Sequence, residues 1–244
     1  MAGVDSRRGA KRAREARVEL GLDPASPLPC LLTVVEERAG LPVIVSGALP
    51  THVAGACWRR DDGAILWVNG RQPPVRQRFT LAHELAHAWS RHDGALEVDS
   101  WATLSGVTTT PYEVEANAFA AELLVPRAVM EEVIEREPTL EEVVCIAAFC
   151  GVSAIVVVYR LKTLELASEE RLARLEEEIA AGLHIGLARR LGLQPPRDRL
   201  GALDALPSLS PALDGTLLAS VVRGQTWPDT RLAAAVGRLL GGRA

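Results

Sequence analysis

One stretch of the chain, from Val75 to Arg91, constrains the fold more than any other because it has to be a helix that carries two histidines. Pro73-Pro74 precedes it, and proline is tolerated at a helix start, whereas nothing inside the stretch would break a helix. His83 and His87 are four residues apart and share one face, so both imidazoles can reach the same ion. Glu84 lies beside them, close enough to touch a water bound to that ion.

The H-E-x-x-H arrangement is typical of a hydrolytic zinc site, with two histidine ligands and a carboxylate that takes a proton from metal-bound water. His83 falls on an apolar stripe, where an imidazole without a partner would be costly to bury and metal ligation would satisfy it. The alternative is a helix with two ordinary polar residues turned to the surface. The stripe consists of Phe79, Ala82, Ala86 and Trp89.

A third ligand is expected from a second helix, predicted over residues 111–126 with a proline at each end. Glu113 and Glu115 compete for this role, and because they are two residues apart they point to different sides and only one can serve. Glu113 lies on the inward edge and is our choice, and Asn117 can hydrogen-bond a liganding histidine from behind. Glu115 is expected near Glu122 on the wetter side, as a solvated helix charge.

These two segments, 76–87 and 113–126, resemble the ImmA/IrrE family of metallopeptidases, and the resemblance extends to about residue 166. It implies that Glu84 is the general base of a zincin-like (gluzincin-type) endopeptidase. It also implies a narrow protein substrate, a helix-turn-helix (XRE-type) transcriptional repressor. The implied metal ligands are His83, His87 and Glu113. Zinc is the expected ion, with manganese or iron as alternatives.

Composition favours a soluble cytoplasmic enzyme. The chain has 48% hydrophobic and 24% charged residues, and its net charge of −4 argues against a basic protein that coats nucleic acid. Its four cysteines lack Cys-x-x-Cys spacing and are expected to be reduced. The basic N-terminus is not followed by an apolar stretch, so no secretory signal is expected, and no run is long enough to span a bilayer.

The predicted fold class is α+β, a mainly helical zincin-like core with a small twisted sheet, a helix-turn-helix-like unit and a C-terminal helical tail. The domains expected are an N-terminal helix and linker (1–29), the metallopeptidase core (30–137), the helix-turn-helix-like unit packed on it (138–167) and a helical C-terminal region (168–244). Within them we predict helices over 7–22, 30–39 and 169–190, strands at 43–45, 53–58 and 64–69, and a loop over 100–110.

The helix-turn-helix-like unit has Thr139 as a helix cap, Gly151 in the turn and Ser153 capping the second helix. Its second helix is mostly apolar, which leaves Arg160 and Lys162 for a phosphate contact. A DNA reader would present Arg, Lys, Asn or Gln to base edges, so we expect a structural role and no direct binding of nucleic acid.

Two alternatives to the peptidase remain open. The first is a transcriptional regulator whose metal site is vestigial or structural, and the second is a toxin–antitoxin-like interaction protein that acts through its C-terminal region. An intact Glu84 favours the peptidase, because a structural site would not need it. Tyr112 and His92 are further candidates, as donors that stabilise the transition state.

Overall fold

The computed structural model describes residues 2–28, 30–47, 49, 52–60, 63–90, 96–100, 110–193 and 208–209 of the 244-residue chain. The strands are β1 (Val43–Ser46), β2 (Val53–Arg60), β3 (Gly63–Asn69), β4 (Leu96–Ser100) and β5 (Ser208–Leu209). The helices are α1 (Ala2–Glu19), α2 (Leu31–Thr33, continued by a π-helical turn, Val34–Arg38), α3 (Pro74–Ser90), α4 (Pro111–Leu124), α5 (Arg127–Val133), α6 (Leu140–Cys150), α7 (Ala154–Thr163), α8 (Glu169–Ala180) and α9 (Leu183–Arg190). The predicted α+β class is confirmed.

The strands form one mixed sheet in the order β4-β2-β3-β1-β5. β1 runs parallel to β3, and the other neighbours are antiparallel. All residues of β1, and all but the first of β3, are buried, which explains why these strands read as continuous apolar runs rather than as an alternation. The first three strands are where the sequence predicts them, whereas β4 and β5 were not predicted because both are short.

α3 lies on β2 and β3, and α4 packs against α3, so the two helices that carry the predicted site share one core. Leu81 and Leu85 of α3 and Phe119 and Leu123 of α4 are all completely buried there. Burying one such side chain contributes about 1.5–3 kcal/mol, so the relative position of α3 and α4 is held mainly by apolar packing.

α1 packs along α4 at very short range. An ideal Cβ at Gly9 would lie only 2.1 Å from the backbone oxygen of Glu115, so a glycine is what allows this close approach. Arg17, which is 2% exposed, donates a hydrogen bond of 2.5 Å to the carbonyl oxygen of Leu123 in the last turn of α4. This bond satisfies a carbonyl that has no partner within the helix. The N-terminal helix therefore supports the helix that carries Glu113.

α6 and α7 form the predicted helix-turn-helix-like unit. Thr139 and Glu142 make the predicted capping box, and Gly151 ends α6 in the left-handed conformation with φ of 67°. Ser153 is at the N-cap position of α7, although its side chain makes no capping hydrogen bond. Among the described residues, no single helix is long and apolar enough to cross a membrane. The α6–α7 pair passes that test jointly, but it is bent by 107°.

The C-terminal region departs from prediction. The single helix predicted over 169–190 is wrong, because Gly182, with φ of 75°, interrupts it and separates α8 from α9. The region is also not purely helical, since the two residues of β5 pair with β1. The rest of the predicted helical tail lies outside the described residues. A further difference is α5, a helix that was not predicted and that begins directly after Pro126.

Candidate metal centre and catalytic site

α3 brings His83 and His87 together as its four-residue spacing predicts. The two side chains are 0% and 1% exposed, and their Nε2 atoms lie 3.0 Å apart. The start of this helix is anchored by Gln77, whose side-chain amide donates to the carbonyl oxygens of Gly70 (3.2 Å) and Gln72 (2.6 Å). These bonds hold the first turn of α3 to the end of β3.

α4 contributes Glu113 to the same point. Its Oε2 lies 3.1 Å from Nε2 of His83, and its Oε1 lies 3.7 Å from Nε2 of His87. Pro111 begins α4, so Glu113 is in the first turn, where a carboxylate is favoured by the helix dipole. Of the two competing carboxylates, the structure therefore brings Glu113, and not Glu115, to the histidines.

Asn117, one turn after Glu113, lies behind the first histidine. Nδ1–H of His83 donates to Oδ1 of Asn117 at 3.0 Å. This hydrogen bond selects the tautomer in which Nε2 of His83 carries a lone pair, and it orients that lone pair towards Glu113 and His87. The contact predicted for Asn117 is present.

The three side chains fit a metal ion. Their ligand atoms all lie within 4.8 Å of one another. In a tetrahedral zinc site with bonds of about 2.0–2.1 Å, neighbouring donor atoms are about 3.3 Å apart. The two Nε2 atoms are 3.0 Å apart, and the Glu113 oxygens lie 3.1 and 3.7 Å from them, so the observed separations fall on either side of that spacing. Two imidazole lone pairs that face each other this closely would repel unless a cation or a proton lay between them.

The electrostatics of Glu113 agree with this fit. Burial raises the pKa of Glu113, but when no ion is bound and the rings are protonated, hydrogen bonds from His83 and His87 and their positive charges outweigh burial and hold that pKa well below its usual range. The carboxylate is therefore ionised at neutral pH, as a metal ligand has to be.

Glu84, the predicted general base, is completely buried. It lies one turn after Thr80 on α3, and both side chains face β2 at Gly55. An ideal Cβ at Gly55 would lie 2.4 Å from Oε1 of Glu84 and 2.6 Å from Cγ2 of Thr80. The carboxylate is thus enclosed between helix and sheet rather than exposed to bulk water.

Glu115 is not the solvated charge that the sequence predicts, and that expectation is wrong. It is 2% exposed, and its carboxylate is held by Arg8 Nε at 2.5 Å and by Arg12 Nη1 at 2.7 Å, both from α1. Ser90 Oγ, in the last turn of α3, donates to the same carboxylate at 3.2 Å. Glu115 therefore joins α1, α3 and α4, a structural role that depends on a helix distant in sequence.

Glu122 and Arg160 also differ from expectation. Both are 2% exposed, and the guanidinium of Arg160 donates to the Glu122 carboxylate and, at 2.9 Å, to the carbonyl oxygen of Val125. Arg14 of α1 approaches the same carboxylate at 3.5 Å. The expectation that Glu122 lies on the wetter side and that Arg160 is left for a phosphate is wrong, because the pair joins α7 to α4.

A cleft of about 750 Å³ opens between the first turns of α3, the middle of α4 and α7. Among the described residues that line it, Asn117 is the one that belongs to the predicted site, through its contact with His83. The cleft therefore lies behind His83, on the Asn117 side of the imidazole ring.

The two predicted transition-state donors stay predictions. Tyr112 immediately precedes Glu113 and is 44% exposed, whereas His92 lies outside the described residues, as do residues 101–109 of the predicted loop. Ser100 itself ends β4. All four cysteines lie in the described part of the chain, and none of them is in a disulfide bond.

Sequence reasoning missed three residues around the site. Gly55 could have been found as an isolated glycine within a strand pattern, which often marks close backbone approach. Arg8 and Arg12 could have been found by their four-residue spacing, which places them on one face of α1. Neither pattern predicts which residue the glycine or the arginines contact, because the contacted glutamates lie on other secondary-structure elements.

Comparisons with known proteins agree with this site. A family model for the IrrE N-terminal-like domain of peptidase family M78 matches residues 36–162, which is 127 of the 244 residues. The chain is also 36% identical over 125 residues to the radiation response metalloprotease IrrE of Deinococcus radiodurans, and the alignment covers 50% of this chain and 38% of that protein. The chain therefore spans well under half the length of this relative. His83, Glu84, His87 and Glu113 all lie in the matched segment, and the chain belongs to the peptidase M78 family through its IrrE N-terminal-like domain.

Proposed function

We propose that this protein is a metal-dependent endopeptidase that cleaves a specific protein. The observation that carries the proposal is the convergence of His83, His87 and Glu113 on one point, with Glu84 buried at the next position of α3 after the first histidine. The relative named as a metalloprotease supports it. Zinc is the proposed ion, because two imidazoles and one carboxylate are typical donors of hydrolytic zinc, although Mn²⁺ and Fe²⁺ accept the same donors.

The chain's own residues supply positioning and proton transfer. A bound ion would supply a Lewis acid that polarises the scissile carbonyl and lowers the pKa of water. Glu84 accepts the proton of the attacking water and delivers it to the nitrogen of the leaving amine. Asn117 holds the ring of His83 in the orientation that ligation needs. Because Glu84 is buried, bulk water does not compete for these proton transfers.

We propose a helix-turn-helix (XRE-type) repressor as the substrate. The support is the resemblance to the ImmA/IrrE family, together with the name of the relative, which associates that protein with a radiation response. A DNA-bound repressor is located in the cytoplasm, so we propose the cytoplasm as the location of this protein. Reduced cysteines are compatible with that compartment.

The test is cleavage of a helix-turn-helix repressor encoded beside the gene of this protein. The purified chain is loaded with zinc, its metal content is measured, and the products are identified by mass spectrometry. We expect one defined cleavage by the wild type. In Glu84→Gln we expect the rate to fall by about 10²–10⁴-fold with the metal retained.

Glu131→Gln is the matched control, because Glu131 is a half-exposed glutamate of α5 whose salt bridge is to Arg127 of the same helix. Its cleavage rate should equal that of the wild type. Unchanged cleavage in Glu84→Gln would refute the mechanism, and no cleavage by the zinc-loaded wild type would refute the proposed substrate. A sequence-specific DNA complex formed by the protein alone would favour the regulator instead, against which the burial of Arg160 weighs.

A further inference from the structure

Strand β2 approaches the buried Glu84 more closely than any side chain at position 55 would allow. An ideal Cβ at Gly55 would lie 2.4 Å from Oε1 of Glu84, 2.6 Å from Cγ2 of Thr80 and 2.8 Å from the backbone oxygen of Trp67. Real Cβ atoms essentially never come within 3.0 Å of a heavy atom outside their own residue and its two chain neighbours. The carboxylate of Glu84 therefore rests against backbone.

Conformation does not explain the glycine. Gly55 is not among the residues with positive φ, so a residue with a side chain could adopt the same backbone angles. What the position requires is space, and the atoms that would occupy the space of a Cβ belong to Glu84, Thr80 and the neighbouring strand.

The strand cannot easily withdraw to make room. Gly55 pairs with Val68 of β3 on one side and with Asp99 of β4 on the other, so β2 is held in the interior of the sheet at this point. The register with β4 shifts between Val53 and Gly55, which marks a bulge or irregularity beside Glu84. Such irregularities often redirect a strand next to an active site. A Cβ added here would press on Glu84, on Thr80 and on the backbone of Trp67, and of these the end of the Glu84 side chain is nearest and has the most freedom to move.

We propose that Gly55 is a positioning residue that sets the place of the Glu84 carboxylate by forming the sheet-side wall of its pocket. The proposal rests on the proposed peptidase function, in which Glu84 is the general base. Ordinary contact begins near 3.4 Å, so an added Cβ would move the carboxylate by about 1 Å. A misplacement of about 1 Å can cost about 100-fold in rate. None of the three atoms nearest to the added Cβ belongs to His83, His87 or Glu113, so we expect metal binding to be retained.

The kinetic test compares Gly55→Ala with Gly47→Ala in the full chain loaded with zinc. Gly47 also has no positive φ, and the nearest atoms to its ideal Cβ belong to the Arg71 side chain at 3.9 Å, so alanine fits there. We expect Gly55→Ala to keep its zinc and its KM while kcat falls about 100-fold, and Gly47→Ala to match the wild type. A kcat for Gly55→Ala equal to that of Gly47→Ala would overturn the proposal.

A second measurement remains decisive if Gly55→Ala is too unstable to assay. The coupling between positions 55 and 84 in thermal stability is obtained from the melting temperatures of four zinc-loaded proteins. These are the wild type, Gly55→Ala, Glu84→Ala and the double variant. Because Glu84→Ala removes the carboxylate that the new Cβ would meet, Gly55→Ala should lower the Tm less in that background, or fold only there. Equal losses in both backgrounds, or a double variant that also fails to fold, would refute the positioning role. By contrast, a wild type that cleaves nothing would refute the proposed function and leave this coupling measurable.

Discussion

The buried pair of Arg160 and Glu122 leads to a quantitative prediction about what joins α7 of the helix-turn-helix-like unit to α4. Both residues are 2% exposed, and Arg160 also donates to the carbonyl oxygen of Val125. Burial lowers the pKa of Arg160 to about 10, so the guanidinium is still charged at neutral pH. Arg160→Met keeps most of the apolar side chain and removes the charge, which leaves the Glu122 carboxylate buried.

Removing one partner of a buried ion pair costs about 3–5 kcal/mol, because the remaining charge is uncompensated. Arg14 lies 3.5 Å from the Glu122 carboxylate, and its side chain is 54% exposed, so it can move closer and compensate in part. We therefore expect the lower end of the range, about 3 kcal/mol. For a chain of this size, 1 kcal/mol corresponds to about 2–4 °C, so the Tm should fall by about 6–12 °C.

The assay is chemical and thermal unfolding of the zinc-loaded protein. Lys162→Met on the same helix is the control, since that side chain is 59% exposed and its ion pair with the exposed Glu169 has a separation of 4.0 Å. Its effect should stay within about 0.5 kcal/mol. The double variant Glu122→Met with Arg160→Met should recover most of the loss, because no charge is left buried. A cost for Arg160→Met no larger than for Lys162→Met, or a double variant no better than the single one, would refute this reasoning.

Two further predictions follow from the site and the core. Glu113→Gln should reduce the zinc content, whereas Glu115→Gln should keep the zinc and lower the Tm, because it weakens the contact with two arginines of α1. Metal analysis and melting curves test both expectations. Zinc loss in Glu115→Gln but not in Glu113→Gln would reassign the third ligand. Cys57 and Cys150 should resist a thiol reagent at pH 8 until the chain unfolds, because both are buried and burial raises the pKa of Cys150 to about 11; rapid labelling of either in the native protein would contradict the packing.

Much of the site was predictable because it depends on residues that are close together in the sequence. The spacing of His83 and His87 places both on one face of any helix, and prolines mark where α3 and α4 begin. The buried strands β1 and β3 were recognisable as apolar runs. The choice of Glu113 over Glu115 was made from the apolar pattern of α4, and the structure places Glu113 at the histidines.

Short, irregular or interrupted elements were harder to predict. α5 occupies only seven residues and β4 only five, so neither produces a periodic pattern long enough to distinguish from a loop. The interruption between α8 and α9 depends on Gly182 adopting positive φ, and glycine inside a helical pattern is also compatible with an unbroken helix.

Residue type and helical spacing alone predict the proposed chemistry, because the histidine pair, the adjacent carboxylate and the proposed third ligand can all be recognised from them. Their surroundings depend on how the chain folds. Glu115 is buried because α1, more than 100 residues earlier, brings two arginines to it. Glu84 is confined because β2 passes it at Gly55. The physical reason is that spacing fixes where a side chain points from its own helix, whereas its neighbours are set by packing between distant segments.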